Sequence, residues 1–188
     1  MSTPIYVGID PGLDGAVAWI LPSGILQAES TPTYETGHGS RRDYLVASMR
    51  KIHDNIIALA GGPLNVRVGI EKVHSMPKQG VAATFSFGMG YGIWRGIFAD
   101  CSVDLITPQA WAKIMLAGCP KGKSSNRAKA SELFPVSESL FASVKKGSGL
   151  ADASLIAKFL MRMLSSSEPI TEPVQPKEAF SKRAEDVP

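Results

Sequence analysis

The stretch Ile5-Tyr6-Val7-Gly8-Ile9-Asp10-Pro11-Gly12-Leu13-Asp14-Gly15-Ala16-Val17-Ala18-Trp19-Ile20-Leu21 decides the reading of the fold. Ile5 to Ile9 is a short apolar run with β-branched residues, as expected of a buried strand. Asp10 through Gly15 is dense in Gly, Pro and Asp and reads as a turn. Ala16 to Leu21 resumes as a second strand, Pro22-Ser23-Gly24 turns the chain again, and Ile25 to Thr31 is a third strand. The chain thus opens as a β-meander. A Rossmann arrangement opens strand–helix–strand, so the meander argues against one.

Working outward, Thr33 to Ser40 reads as a polar loop. Asp43 to Ala60 places Leu45, Met49, Ile52, Ile56 and Leu59 at helical spacing, and Gly61-Gly62-Pro63 stops that helix. Val66 to Ile70 is a fourth strand, closed by Glu71, and Val73 to Gly80 is a loop. Val81 to Asp100 reads as helical, although Gly88, Gly90, Gly92 and Gly96 lower the propensity. Val103 to Ile106 is a fifth strand. Thr107-Pro108 then opens a helix, with Thr as N-cap and Pro at the first helical position. Ser124 to Phe134 is a short helix ended by Pro135, and Gly149 to Leu164 is the last. Three strands followed by alternating helices and strands predict an α/β fold, a five-stranded mixed sheet with helices on both faces.

The 188 residues suit one domain, placed over residues 1–164, with a Ser-, Pro- and Glu-rich stretch over 165–188 expected to be a flexible tail. The net charge of +3 is unevenly spread: the tail carries three basic and five acidic side chains, leaving the body at +5. The densest basic patch is Lys121, Lys123, Arg127 and Lys129, which fits either a solvated loop and helix start or an anion-facing surface. Cys101 and Cys119 cannot form a disulfide framework and read as ordinary buried thiols of a reducing compartment. No apolar run nears the roughly 20 residues of a membrane span, and the first residues lack the basic start and apolar stretch of a signal peptide. A cytoplasmic protein without a membrane partner is expected.

Three acids stand where core elements end or begin. Asp10 closes the first strand, Glu71 closes the fourth, and Asp152 lies in the first turn of the last helix among Ala151, Ala153, Leu155 and Ile156. Each has a plain alternative: Asp10 as a turn former, Glu71 as a surface acid, Asp152 as an acid favoured by the helix dipole. If strands one and four are neighbours, however, Asp10 and Glu71 converge, and a helix packed on the sheet can deliver Asp152 beside them. Clustered carboxylates repel unless a cation offsets them, and oxygen-only ligation suits Mg²⁺ or Mn²⁺.

These residues resemble a known family. Gly8 to Ala18 is similar to the opening of RuvC-type Holliday junction resolvases, and Val68-Gly-Ile-Glu-Lys-Val73 to their second acidic strand. Ile106 to Lys113, Gly122-Lys-Ser124 and Gly149 to Ala153 continue in the same order and spacing. Gln79 to Ile97 is most similar to the phage and chloroplast branch. The resemblance spans about residues 5–160 and implies an RNase H-like fold, a homodimer, and Mg²⁺-dependent paired symmetric nicking of four-way DNA junctions, with Mn²⁺ as a substitute. It implies Asp10, Glu71 and Asp152 as metal ligands, holding two cations roughly 3.5–4 Å apart. It implies lysines near the scissile phosphate at Lys113 and at Lys123, the latter counted with the catalytic groups. The remaining basic candidates for DNA contact are Lys78, Arg95, Lys121, Arg127 and Lys129. A bacterial or phage-infected cell, or an organelle, is the expected setting.

The chain departs from the family at one point. A fourth acid or a histidine usually stands three or four residues before the last aspartate, where this sequence has Gly149 and Ser148. Ser148 is the candidate position of a lost acid. The aromatic run Phe85, Phe87, Tyr91, Trp94 and Phe98 reads as core packing, as a dimer interface with contacts at the junction centre, or as both on different faces. His74 reads as a loop histidine in water, and His38 and His53 suggest no chemistry. Three rivals follow. Asp10-x-Gly-x-x-Gly15 is also similar to the first phosphate loop of the actin and sugar-kinase fold, but that class needs two such domains, so no nucleotide cofactor is expected. The others are a non-cutting junction-binding module and an RNase H-like nuclease of flaps or RNA–DNA hybrids.

Overall fold

A computed structural model describes residues 3–37, 41–72, 80–120, 122–143 and 147–166, with backbone only at Lys123 and Ser166. Seven strands and five α-helices follow in order: β1 (Ile5–Asp10), β2 (Ala16–Ile20), β3 (Leu26–Ser30), β4 (Thr33–Glu35), β5 (Arg42–Tyr44), α1 (Val46–Ala60), β6 (Val66–Glu71), α2 (Val81–Ile97), β7 (Ser102–Ile106), α3 (Pro108–Met115), α4 (Lys123–Leu133) and α5 (Gly147–Ser166). Five strands form one sheet in the order β3-β2-β1-β6-β7. β1, β2 and β3 pair antiparallel as the expected meander, while β6 and β7 lie parallel to β1.

Side-chain alternation along the strands builds a core on each face of this sheet. Ile5, Val7 and Ile9 of β1, Val17 and Trp19 of β2, and Val66, Val68 and Ile70 of β6 pack against Met49, Ile52 and Ile56 of α1, Trp94 and Ile97 of α2, and Phe98 just beyond α2. On the other face, Ala16, Ala18 and Ile20 of β2 meet Leu150, Ala151, Ala153 and Ala157 of α5 and Ala130 of α4. Tyr6 and Ile106 join Leu155, Ile156 and Leu160 of α5 and Trp111 of α3 on that same side. Each large side chain buried in this way contributes about 1.5–3 kcal/mol.

The local signals explain most element ends. Thr107 caps α3 by accepting the Ala110 N–H at 3.3 Å, with Pro108 at the first position. Gly61 ends α1 in the left-handed region at φ 70°, which a residue without Cβ adopts freely. One expectation fails between residues 33 and 45. β4 and β5 pair antiparallel (Thr33↔Tyr44, Glu35↔Arg42), so Thr33–Glu35 is not loop and Asp43 does not begin a helix. The reason is Tyr44: its ring is buried and its hydroxyl reaches the carbonyls of Ser86 at 3.1 Å and Pro11 at 3.3 Å, tying this hairpin to α2 and to the turn after β1. Helix α1 begins only at Val46.

A further correction concerns the last helix, whereas the aromatic run follows the expectation of a core side and an outward side. α5 starts at Gly147, so Asp152 stands in its second turn, and the helix continues through Ser166, past the expected domain limit. Along α2, Trp94 and Phe98 are core, Phe87 and Tyr91 are half-buried, and Phe85 is 73% exposed. Core and outward faces thus divide the run between them.

Candidate functional site

The sheet brings Asp10 and Glu71 side by side. β1 and β6 run parallel in the register Gly8↔Gly69 and Ile9↔Ile70, so the two acids occupy neighbouring positions at the carboxyl ends of adjacent strands. Each stands two residues beyond its paired glycine, and alternation puts both on the face that carries α5.

Helix α5 reaches that face because of those glycines. A Cβ on Gly8 would stand 2.1 Å from the Ala153 carbonyl oxygen and 2.3 Å from the Ala157 nitrogen. At Gly69 the nearest neighbour is the Ile106 side chain at 2.5 Å, followed by those of Ile156 and Leu160 of α5. The α5 backbone therefore rests directly on β1, which carries Asp152 to the strand ends. The start of α5 is seated as closely, since a Cβ on Gly149 would stand 2.3 Å from the Asp14 carbonyl oxygen.

Neighbouring helices hold two of the carboxylates. Trp111 of α3 donates its indole N–H to Glu71 Oε1 at 2.9 Å, and Asn126 of α4 donates its amide to Asp152 Oδ1 at 2.7 Å. Asp10 Oδ1 accepts a long bond of 3.4 Å from the Gly12 N–H, so its turn-forming role is met as well. All three acids are half-buried. Burial is the main force holding the Glu71 carboxyl above its usual range. The Trp111 bond acts against it, and the Asp152 charge adds to it. On the far side of Asp10, burial first, with a smaller push from the Asp10 and Asp43 charges, holds the Tyr44 hydroxyl protonated up to about 12.

Tyr44, Trp111 and Asn126 were not singled out as site residues in the sequence. Trp111 lies inside the quoted Ile106–Lys113 motif and Asn126 inside the Lys121–Lys129 patch. A polar amide and an aromatic N–H within motifs flanking the acids were the available signals.

The basic candidates are less uniformly placed. Lys113 is exposed in the last turn of α3. Lys129 pairs with Glu132 at 2.6 Å, and Arg127 is half-buried with its Nε lacking a hydrogen-bond partner. Arg95 is exposed on α2, its guanidinium 5.3 Å from the Tyr91 ring centre. Lys78, Lys121, His38, His74 and the Lys123 side chain lie outside the described residues. Ser148 is half-buried on α5, and Gly149 has no room for any side chain, so a fourth acid has only position 148 open to it.

Among the described residues, one group of three His, Cys, Asp or Glu donors draws within 4.8 Å: His53, Asp100 and Cys101. The strand-end acids Asp10 and Glu71 and the helix acid Asp152 do not form such a group among the described residues. No described helix is long and apolar enough to cross a membrane.

The two bonds to the acids lead to separate predictions. Asn126→Ala leaves a half-buried carboxylate without its amide, and a loss of about 1.5 kcal/mol is expected in chemical denaturation. Trp111→Phe keeps the ring but removes the donor, so the Glu71 carboxyl moves further up. Because Glu71 holds its proton more tightly folded than unfolded, the cost of charging it is absent at acid pH. That cost is complete once pH exceeds the raised value. The variant should therefore lose about 1–2 kcal/mol more at neutral pH than below about pH 4. A deficit equal at both pH values would show that the indole does not support the charged carboxylate.

A five-stranded sheet ordered β3-β2-β1-β6-β7, antiparallel in its first three strands, parallel beyond and covered on both faces, is the RNase H-like fold. Within that class the chain is similar to RuvC of Thermus thermophilus in complex with Holliday junction substrate. The two share 18% identity at a TM-score of 0.55 over 85% of this chain and 96% of that one. A second Thermus thermophilus RuvC structure gives 18% identity and a TM-score of 0.49 over the same shares. No family model matches the chain, and no curated protein matches it in sequence. At this identity the likeness shows the fold.

Proposed function

We propose that this protein is a Holliday junction resolvase, a metal-dependent endodeoxyribonuclease that makes paired nicks in four-way DNA junctions. The observation that supports the reading is the placement of three acids from distant segments: Asp10 and Glu71 at the ends of adjacent parallel strands, and Asp152 on a helix seated on Gly8. The donor set is all oxygen, which fits Mg²⁺, with Mn²⁺ as a substitute. Bound cations at such a rim supply water activation and stabilise the departing oxygen of a phosphodiester.

The chain's own residues do the rest. Asp10, Glu71 and Asp152 hold the metal. Trp111 and Asn126 fix the direction of two of those carboxylates, so that they need not reorganise as charge develops. Lys123, at the start of α4 in the same helix as Asn126, is proposed to meet the scissile phosphate. Lys113, Arg127, Lys129, Arg95, Lys78 and Lys121 are proposed to neutralise flanking phosphates. The Lys129–Glu132 pair is largely exposed on its acidic side and is worth at most about 1 kcal/mol, so a phosphate can replace the glutamate at small cost.

Two symmetric nicks need two sites, hence a homodimer. The outward side of α2, with Val81 88% and Phe85 73% exposed, is the proposed contact surface. Neither a nucleotide cofactor nor a membrane enters this reading, and a cytoplasmic or organellar setting suits it.

The test is cleavage of a four-way junction in Mg²⁺, beside duplex, flap and RNA–DNA hybrid of matched sequence. Paired nicks in the junction are expected. Preference for flap or hybrid assigns a different RNase H-like nuclease, and a junction neither cut nor bound over duplex overturns the reading. A second reading has one observation in its favour, the serine at position 148. A junction-binding module that does not cut would bind and leave the strands intact. Ser148→Asp separates the cases, because a replaced acid predicts a gain in nicking.

A further inference from the structure

At the opposite end of the sheet from the acids, the amino end of β7 meets the middle of α1. There His53 is only 2% exposed, although its sequence suggests no chemistry. Its Nε2 lies 3.0 Å from Asp100 Oδ1, and its Nδ1 lies 2.8 Å from Asp54 Oδ1. Cys101 Sγ lies 3.6 Å from the same Asp100 oxygen. Asp100 and Cys101 sit in the turn between α2 and β7, so the cluster joins elements far apart in the chain.

We propose that His53, Asp100 and Cys101 bind a zinc-type transition-metal ion, with water in the fourth position, at a site separate from the strand-end acids. Four observations converge on it. The first is the donor set. One imidazole nitrogen, one sulfur and one carboxylate oxygen suit Zn²⁺, whereas Mg²⁺ takes oxygen. The second is spacing. Zinc bond lengths of about 2.0–2.3 Å in a tetrahedron put an N and an O about 3.3 Å apart and an S and an O about 3.5 Å apart. The observed separations are 3.0 and 3.6 Å, and all three donors lie within 4.8 Å of one another.

The third is the support behind the histidine. Asp54 engages the ring nitrogen that faces away from the site, the carboxylate–histidine arrangement that orients metal-bound imidazoles. The Phe98 ring, 5.0 Å from the imidazole and steeply inclined to it, walls the other side. The fourth is access: Asp100 has a side chain 47% exposed, leaving a route for the ion and its water.

Without metal, Cys101 is a thiol. Burial first and then the Asp100 charge push it up to about 12, and it donates to Asp100. Binding therefore exchanges the thiol proton for the ion and releases that proton to solvent. The product is a staple linking α1 to the α2–β7 turn.

The experiment is a titration of the metal-free full chain with Co²⁺, which reports tetrahedral ligation by visible bands and thiolate ligation by a near-ultraviolet charge-transfer band. One cobalt per chain with both features is expected, displaced by Zn²⁺ and unaffected by excess Mg²⁺. Cys101→Ser should remove the charge-transfer band and weaken binding by about 10-fold or more. Cys119→Ser should leave both unchanged. Asp100→Asn, on the exposed side where folding is least at risk, should weaken binding as strongly. Zn²⁺ should also raise the melting temperature of the wild type but not of Cys101→Ser. Absence of the bands in the wild type, or their survival in both the Cys101 and Asp100 variants, overturns the proposal.

Discussion

Asp10→Asn is expected to lower junction nicking by about 100-fold or more while junction binding persists. Residues that merely orient a metal ligand cost about 10–100-fold when removed, and loss of the ligand itself costs no less. The substitution is nearly isosteric, so the Gly12 N–H keeps an oxygen to donate to and the turn after β1 survives. It also removes one of three like charges at the rim, and the metal-free variant should melt no lower than wild type. That pairing of outcomes distinguishes lost chemistry from lost folding. Nicking at the wild-type rate would place the reaction elsewhere on the molecule.

Gly8→Ala should be among the most damaging single-methyl additions at the described glycines. The added Cβ meets the Ala153 carbonyl oxygen at 2.1 Å and the Ala157 nitrogen at 2.3 Å, both backbone atoms that no rotamer change can move. Helix α5 must retreat by roughly 1 Å to restore ordinary contact. Overpacking of this kind costs about 3 kcal/mol, and here it also opens the interface that Ala16, Ala18 and Leu150 share. The retreat carries Asp152 away from Asp10 and Glu71, and a displacement of about 1 Å at a reacting centre can cost about 100-fold in rate. Thermal melting and the nicking rate should therefore fall together. An unchanged melting temperature would show that α5 does not depend on this contact.

The meander and the acids were legible because they break a pattern. A carboxylate directly after Ile5–Ile9 or Val66–Ile70 stands out against buried β-branched residues, and pairing of those two strands is enough to bring Asp10 and Glu71 together. What was not legible depends on docking. The hairpin of β4 and β5 has strands of three residues each, too short for periodicity to register, and only the burial of Tyr44 explains it. Trp111 and Asn126 matter through the direction in which α3 and α4 settle, which their own sequences do not encode. His53 did leave a trace. It falls four residues after Met49 and three before Ile56, on the buried stripe of α1, but a lone polar residue there gives no hint that Asp100 and Cys101 lie opposite.

The seat of α5 on β1 also sets when the molecule becomes competent. Gly8 and Ala153 are separated by nearly the whole described chain, and synthesis delivers β1 well before α5. Pairing of β1 with β6 assembles two acids early, yet the third arrives only when α5 docks. A nascent or shortened chain thus holds Asp10 and Glu71 side by side while the helix that carries Asp152 is still missing.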